Sequence, residues 1–205
     1  MRAHALALAL LLAAGCATRE ASAPEPAPLS TEAAREARIQ QAAALKLEGH
    51  ALATQKRPEQ AIAVLQRSIA LNPGDPETHG VLGTVLLEAG RFALAARSFE
   101  RAHALTPDDP RVDAGLGTAY HKMGRYQAAK APLLRASRAF PDDYPILLQL
   151  GRVGFATKDF RLCAESFRRF TRSVEQRDPA LVPKPLAEDY QRALAFVELC
   201  EGKAR

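Results

Sequence analysis

The sequence lacks the residue groupings on which most catalytic and metal-binding sites depend. It contains neither an HExxH segment nor a Cys-x-x-Cys pair, and its 3 cysteines and 5 histidines are scattered along the chain. No glycine-rich phosphate loop is present, because every glycine after Cys16 falls at a position of a repeating pattern or at a predicted turn. These absences argue against an enzyme, and they predict no catalytic residues, no cofactor, no metal ion and no small-molecule substrate.

Two partial signals for chemistry have simpler interpretations. Glu100 and His103 match half of a di-iron helix motif, but such a site needs a second pair and two further carboxylates. The carboxylate pairs Asp108–Asp109 and Asp142–Asp143 recur at the same place in a repeated pattern. Their recurrence indicates helix caps rather than acid–base groups.

A long apolar segment is also missing. The run from Ala5 to Ala14 is about half of the ~20 residues that span a bilayer, so residues 1–15 are predicted to be a removable signal peptide. The segment Ala13–Cys16 resembles a bacterial lipoprotein lipobox, with Ala13 at a position where leucine is usual. The resemblance implies cleavage before Cys16 and acylation of that cysteine. The alternative is an ordinary secretory signal followed by an incidental cysteine.

The segment after Cys16 is small, polar and rich in proline. Residues 16–30 are therefore predicted to be an extended, lipid-anchored tether. Ala17 follows the cysteine, and by resemblance to lipoprotein sorting this predicts the periplasmic face of the bacterial outer membrane. The full chain carries a net charge of +5, and removal of Arg2 with the signal peptide leaves +4.

The remainder of the chain contains one pattern that is repeated without insertion or deletion. Residues 76–109 and 110–143 match at an offset of 34 residues, and the matching positions are structural ones. Leu82-Gly83 corresponds to Leu116-Gly117, and Gly90-Arg91 corresponds to Gly124-Arg125. A fixed period of this length indicates a stack of small helical units.

The same register continues on both sides and predicts repeats at 42–75, 76–109, 110–143 and 144–177, within a folded region of 31–205. The spacing of Leu-Gly, alanine, phenylalanine or leucine, and proline resembles the tetratricopeptide repeat. The resemblance implies an all-α, right-handed superhelical solenoid of four helix pairs. Residues 186–202 are predicted to be a C-terminal capping helix, because such an array needs a polar terminal unit.

Local signals support this pattern. Asp75-Pro76 and Asp109-Pro110 are helix-start signals, and Gly90 and Gly124 suit the turns between paired helices. Gly83 and Gly117 allow two helices to approach closely. In the first repeat Glu48 replaces the usual leucine, and we expect Leu45 and Leu47 to take over its packing role.

Two cysteines remain inside the folded region. Cys163 lies on the second helix of the fourth repeat, and Cys200 lies on the capping helix. An oxidising periplasm would permit a disulfide between them, and the alternative is two separately buried small side chains.

The family resemblance implies that the first helix of each repeat lines a concave, peptide-binding groove. The candidate partner-binding residues at those positions are Lys46, His50, Thr84, Glu88, Arg111, Thr118, His121, Lys122, Gln149, Arg152 and Phe155. Lys46 and Arg111 stand at positions of the carboxylate clamp found in one subgroup. The clamp's asparagines are absent, so a side-chain-packed helix or extended segment is the expected ligand. Phe155 is the leading hot-spot candidate.

Arg161, Arg168 and Arg172 share one helix face. The face is either a solvated surface or a contact for anionic headgroups or an acidic partner. No nucleic-acid recognition motif is present, and nucleic acid is not expected as a partner.

The predicted function is an interaction scaffold for other proteins. The architecture resembles the small repeat lipoproteins that assist assembly of type IV pili, Tad pili or secretins, and this implies a secretin or pilus subunit as partner. Two alternatives stay open. One is an envelope adaptor for peptidoglycan or polysaccharide-export machinery, and the other is a non-catalytic regulatory subunit of an enzyme.

Overall fold

The computed structural model of the chain describes residues 31–176 and 183–204, and these residues form helices without a β-strand. The helices are α1 (Thr31–Thr54), α2 (Pro58–Leu71), α3 (Pro76–Glu88), α4 (Phe92–Leu105), α5 (Pro110–Lys122), α6 (Tyr126–Ala139), α7 (Tyr144–Ala156), α8 (Phe160–Glu175) and α9 (Lys184–Ala204). Helices α1 to α8 form four pairs, and each pair packs on the next along the chain. The predicted all-α superhelical repeat fold is confirmed.

The predicted signal peptide and tether, with Cys16, lie outside the described residues. Within the described part of the chain, no helix combines the length and apolar character needed to cross a bilayer.

The first helices of repeats two to four begin at aspartate caps. Asp75 Oδ1 accepts a hydrogen bond from the Glu77 amide at 3.1 Å, and Asp109 Oδ1 accepts one from the Arg111 amide at 2.9 Å. Asp143 caps α7 through the Ile146 amide at 3.0 Å. The predicted capping role is therefore confirmed for these three aspartates. Each accepts a hydrogen bond from one of the backbone amides that lack a partner at the start of a helix.

The turns inside the four repeats share one backbone conformation. Gly90 and Gly124 have φ of 73° and 71°, as predicted for tight turns, and Lys56 and Lys158 have φ of 60° at the same phase of the outer repeats. The hydrogen bonds also recur: the Arg91 amide donates to Leu86 O at 2.8 Å, as the amide after Lys158 donates to Gly154 O at 2.8 Å. The repeat phase therefore sets the turn geometry even where the residue is lysine.

The inner core is built around aromatic and leucine side chains seated on glycines. A Cβ at Gly83 would lie 2.9 Å from the Phe99 ring, and a Cβ at Gly115 would lie 2.3 Å from it. Phe99 is buried at 3% exposure between the two helices that carry these glycines. Leu133 occupies the corresponding position against Gly117. The close approach predicted at Gly83 and Gly117 is therefore a contact between the glycine of one helix and the Phe99 or Leu133 side chain of the next helix.

Helix α9 closes the C-terminal end of the stack by packing on α8. It runs two residues beyond each predicted end, because Pro185 fits in the first turn, where proline removes no helical hydrogen bond. A disulfide joins Cys163 to Cys200 across a Cα–Cα distance of 6.1 Å, and both residues are fully buried. Phe167, Phe170 and Leu186 complete the core between the two helices.

One packing prediction is wrong. Leu45 is buried at 8% exposure, but Leu47 is 69% exposed. Residues two positions apart on a helix differ by about 200° in direction, so Leu45 and Leu47 cannot share one packing role. Leu45 alone faces the core at this point of α1.

Candidate functional site

The curvature of the stack places the first helices on its concave side. Direct contacts join α1 to α3, α3 to α5 and α5 to α7, whereas the second helices of successive repeats approach each other at most weakly. A stack bends toward the side on which its units lie closer together. All the candidate groove residues are on these first helices, and six of them line two concavities.

The N-terminal pocket is a cavity of 280 Å³ between α1 and α3. His50, Thr84 and Glu88 line it, together with small apolar side chains such as Ala53 and Val81. The Thr84 hydroxyl donates to Gly80 O at 3.2 Å, so its methyl group and the lone pairs of its oxygen remain for the pocket. The surface is narrow and mixed in polarity.

The C-terminal pocket is a larger cavity of 570 Å³ where α5, α7 and α9 meet. Three candidate residues line it: His121 from α5, and Arg152 and Phe155 from α7. Asp189, Arg192 and Phe196 of α9 form the opposite wall. This wall was not foreseen from the sequence, where residues 186–202 were expected only to shield the end of the stack.

Aromatic side chains form the base of the C-terminal pocket. The ring centroid of Phe196 lies 5.1 Å from that of Phe155 in an edge-to-face arrangement and 5.3 Å from that of Phe167 in a stacked one. The Lys203 ammonium lies 5.8 Å from the Phe155 centroid. Phe155 is therefore half-buried and held in place by α9, while still lining the cavity. Aromatic pairs of this geometry favour a rigid, preorganised surface.

The rim of the C-terminal pocket is charged. Asp189 accepts from both Arg152 at 3.0 Å and Arg192 at 3.2 Å, so one carboxylate holds two guanidinium groups. Burial lowers the pKa of His121, and the positive charges of Arg152 and Lys122 lower it further. His121 is therefore neutral at neutral pH, and the local potential is positive.

The remaining candidates line neither pocket, and several already have partners. Lys46 Nζ lies 3.3 Å from Asp75 and is also bound by Glu77. Burial opposes the charge on Lys46, but these two carboxylates outweigh it and raise the pKa of Lys46. Arg111 pairs with Asp109 of its own helix start at 3.3 Å. The two cations suited to a carboxylate clamp are thus bound within the chain.

The other three candidates outside the pockets differ in whether their polar groups are free to bind a ligand. The Thr118 hydroxyl donates to Ala114 O at 2.7 Å. Gln149 is partly buried, and its Oε1 has no hydrogen-bond donor among the described residues. Lys122 is exposed, and within residues 31–176 and 183–204 it forms no ion pair. Lys122 is the one of the three that offers a charge to a ligand.

Arg161, Arg168 and Arg172 of α8 are exposed and do not form one uninterrupted patch of free charge. Arg168 pairs with Glu201 of α9 at 2.6 Å, and this ion pair links α8 to the capping helix. Arg161 and Arg172 are exposed. Contact of this face with anionic headgroups or with an acidic partner stays a prediction.

The described residues contain no cluster of histidine, cysteine or carboxylate groups that could hold a metal ion. Glu100 accepts a hydrogen bond from the Tyr120 hydroxyl instead. His103 Nδ1 lies 3.4 Å from Asp113 Oδ1, and Arg135 binds the same carboxylate at 2.6 and 2.8 Å. The half motif at Glu100 and His103 thus has local structural partners.

Comparison with known proteins agrees with the repeat architecture. Residues 52–95 and 86–152 match the sequence profile of a family described as tetratricopeptide repeat. A search of curated protein sequences gave no significant match. Residues 52–152 therefore carry tetratricopeptide repeats, as the spacing of the residues predicted.

Several solved structures share the fold at low sequence identity. MamA 41-end from Desulfovibrio magneticus RS-1 superposes with a TM-score of 0.63 at 18% identity, covering 80% of this chain and 96% of that one. The first TPR of Spaghetti (RPAP3) bound to the HSP90 peptide SRMEEVD gives 0.56 at 20% identity, covering 58% and 95%. The second TPR domain of human RPAP3 in complex with the HSP70 peptide SGPTIEEVD gives 0.53 at 20% identity, covering 57% and 97%.

Proposed function

We propose that this tetratricopeptide-repeat protein is an outer-membrane-anchored periplasmic scaffold that assists assembly of a pilus or secretin-type secretion complex. The observation that carries the proposal is the concave face, where six of the candidate residues on the first helices line two pockets. Two solved structures with this fold are described as bound to peptides of partner proteins. A segment of another protein is the ligand that such a groove suits best.

The location is proposed from the two ends of the chain. The lipobox-like segment at Ala13–Cys16 supports acylation, and several acyl chains on one cysteine would anchor the protein firmly. The disulfide between Cys163 and Cys200 supports export, because such bonds persist in oxidising compartments. A proline-rich tether would let the groove reach a subunit that is inserting into the membrane.

The lipid anchor can be tested directly. Mass spectrometry of the purified protein should show a chain that starts at acylated Cys16, and Cys16→Ser should leave an unacylated protein that is released from membranes by salt. An acyl-free wild-type protein would contradict the anchor without affecting the groove.

The role in assembly requires a genetic test with a partner readout. Deletion of the gene should reduce secretin multimers or surface pili, and pull-down from solubilised membranes should recover a secretin or pilus subunit. Unchanged multimers would contradict the proposal. Recovery of peptidoglycan hydrolases or export components would indicate an envelope adaptor, and one stoichiometric enzyme would indicate a regulatory subunit.

A further inference from the structure

The two pockets of the concave face differ in charge as well as in size. Lys56 and Glu88 are the charged residues that line the N-terminal pocket, and their charges balance. The C-terminal pocket has Arg152 and Arg192 against Asp189. A ligand that spans the groove therefore meets a neutral end and a positive end.

Further cations surround the C-terminal pocket. Lys122 lies close enough to His121 to lower the pKa of that histidine. The Lys203 ammonium lies over the rings of Phe155 and Phe160, at 5.8 and 5.4 Å from their centroids. Asp189 and Glu188 pair with Arg152 and Arg192, and the additional charges of Lys122 and Lys203 leave this rim with an excess of positive charge.

The base of the same pocket is apolar. Phe155, Phe167 and Phe196 enclose a space of 570 Å³ together with Leu148 and Ala193. A cavity of this size has room for a large side chain with part of its backbone. Burial of such a side chain against fixed aromatic rings is the usual origin of an interaction hot spot.

We propose that the C-terminal pocket receives a bulky apolar side chain of a partner protein, from a segment that carries acidic residues beside it. This inference rests on the proposed function and adds the chemistry of the partner segment. The apolar side chain packs on Phe155 and Phe196. The flanking carboxylates face Lys122 and the guanidinium groups of Arg152 and Arg192, which sets the orientation of the segment.

The proposal predicts the outcome of an unbiased peptide selection. A library of random dodecapeptides displayed on phage is panned against the full chain, purified in detergent. We expect the enriched peptides to combine one large apolar residue with at least two aspartates or glutamates. Binding of a selected peptide should fall roughly tenfold or more in Phe155→Ala and roughly threefold to tenfold in Lys122→Glu.

Matched variants separate binding from folding. Lys122 is exposed, so Lys122→Glu leaves the packing unchanged, and Lys122→Arg should restore affinity because it keeps the charge. Arg138→Glu makes the same charge reversal at an exposed position of α6, which lines neither pocket, and it should leave the selected peptides bound. Circular dichroism and thermal unfolding confirm that each variant is folded.

Each result of the selection decides one of the two proposals. Enriched peptides that are basic, that lack an apolar anchor, or that respond to Arg138→Glu as strongly as to Lys122→Glu would overturn this inference and leave the scaffold function standing. Failure to enrich any peptide above an uncoated surface would contradict the peptide-binding function, and this inference with it.

Discussion

The inner repeats and the two ends of the stack are held together in different ways. In repeats two and three, glycines at Gly83 and Gly115 enclose Phe99, and glycines make the turns. At the ends, the turns contain Lys56 and Lys158, and the C-terminal helix is fastened by a disulfide. Repeated units are stabilised by packing on neighbours, whereas an end has only one neighbour and needs additional links.

The largest effect should come from the inner core. Phe99→Ala removes a ring that is 3% exposed and leaves a cavity between α3 and α5, so we expect the free energy of unfolding to fall by about 3–5 kcal/mol. Urea denaturation followed by circular dichroism measures the change. Phe99→Leu is the control, because Leu133 fills the same position in the next repeat, and it should lose less than half as much. Equal losses for the two variants would contradict the glycine-enclosed ring as the main inner contact.

The disulfide should have the next largest effect, and it acts on the C-terminal end. The bond joins residues separated by 37 positions, and removal of such a loop constraint lowers stability by about 2–4 kcal/mol. Cys163→Ala combined with Cys200→Ala should therefore destabilise α9 and weaken peptide binding at the C-terminal pocket. Denaturation of the double variant, and of the reduced wild-type protein, measures the change. If both unfold like the oxidised wild-type protein, the disulfide does not stabilise the C-terminal end of the stack.

The turns give a smaller and opposite change. Lys158 has a φ of 60°, which is unfavourable for a residue with a Cβ by about 1 kcal/mol. We expect Lys158→Gly to raise the free energy of unfolding by roughly 0.5–1 kcal/mol, since the more flexible unfolded chain offsets part of the gain. The reciprocal variant Gly124→Lys should lower stability in an inner repeat. A loss of stability in Lys158→Gly would mean that the lysine side chain has a compensating role at the end of the stack.

The sequence predicted the parts of the molecule that repeat. Asp75 and Asp109 cap helices, and Gly90 and Gly124 make turns, because each of these roles depends on the chain within a few residues. Lys56 and Lys158 stand at the same position of the repeat, but lysine is not typical of a left-handed turn. The repeat spacing indicated these two turns, whereas the residue type did not.

The C-terminal pocket could be predicted only in part. His121, Arg152 and Phe155 were identified because they occupy groove positions of the repeats. Asp189 and Phe196 were missed, because α9 begins at Lys184 and no longer follows the 34-residue phase. Its placement depends on packing against α8 and on the bond at Cys200, which are contacts between distant parts of the chain.

The smallest expected effect concerns His121 and the charge of the C-terminal end. The pKa of His121 in the folded protein lies below its ordinary value of 6.5, first because of burial and then because of Arg152 and Lys122. Above that value both the folded and the unfolded chain leave the ring neutral, so His121 adds no pH dependence. As the pH falls through 6.5 the unfolded chain binds a proton that the folded chain resists, and the free energy of unfolding decreases.

His121→Gln should remove this pH dependence. The free energy of unfolding of the variant, relative to that of the wild-type protein, should therefore be higher at pH 5 than at pH 8. The groups that face the ring are Lys122 on the same helix, Tyr126 at its edge, Arg152 on α7, and Asp189 and Arg192 of α9 across the pocket. A bound carboxylate would oppose those cations and raise the pKa of His121, so binding of an acidic peptide should take up a proton and strengthen as the pH falls from 7 toward 5.5. Calorimetry in two buffers of different ionisation enthalpy measures the uptake. If the wild-type protein and His121→Gln respond equally to pH, both free and bound, the positive potential assigned to this end of the groove does not act on its ligand.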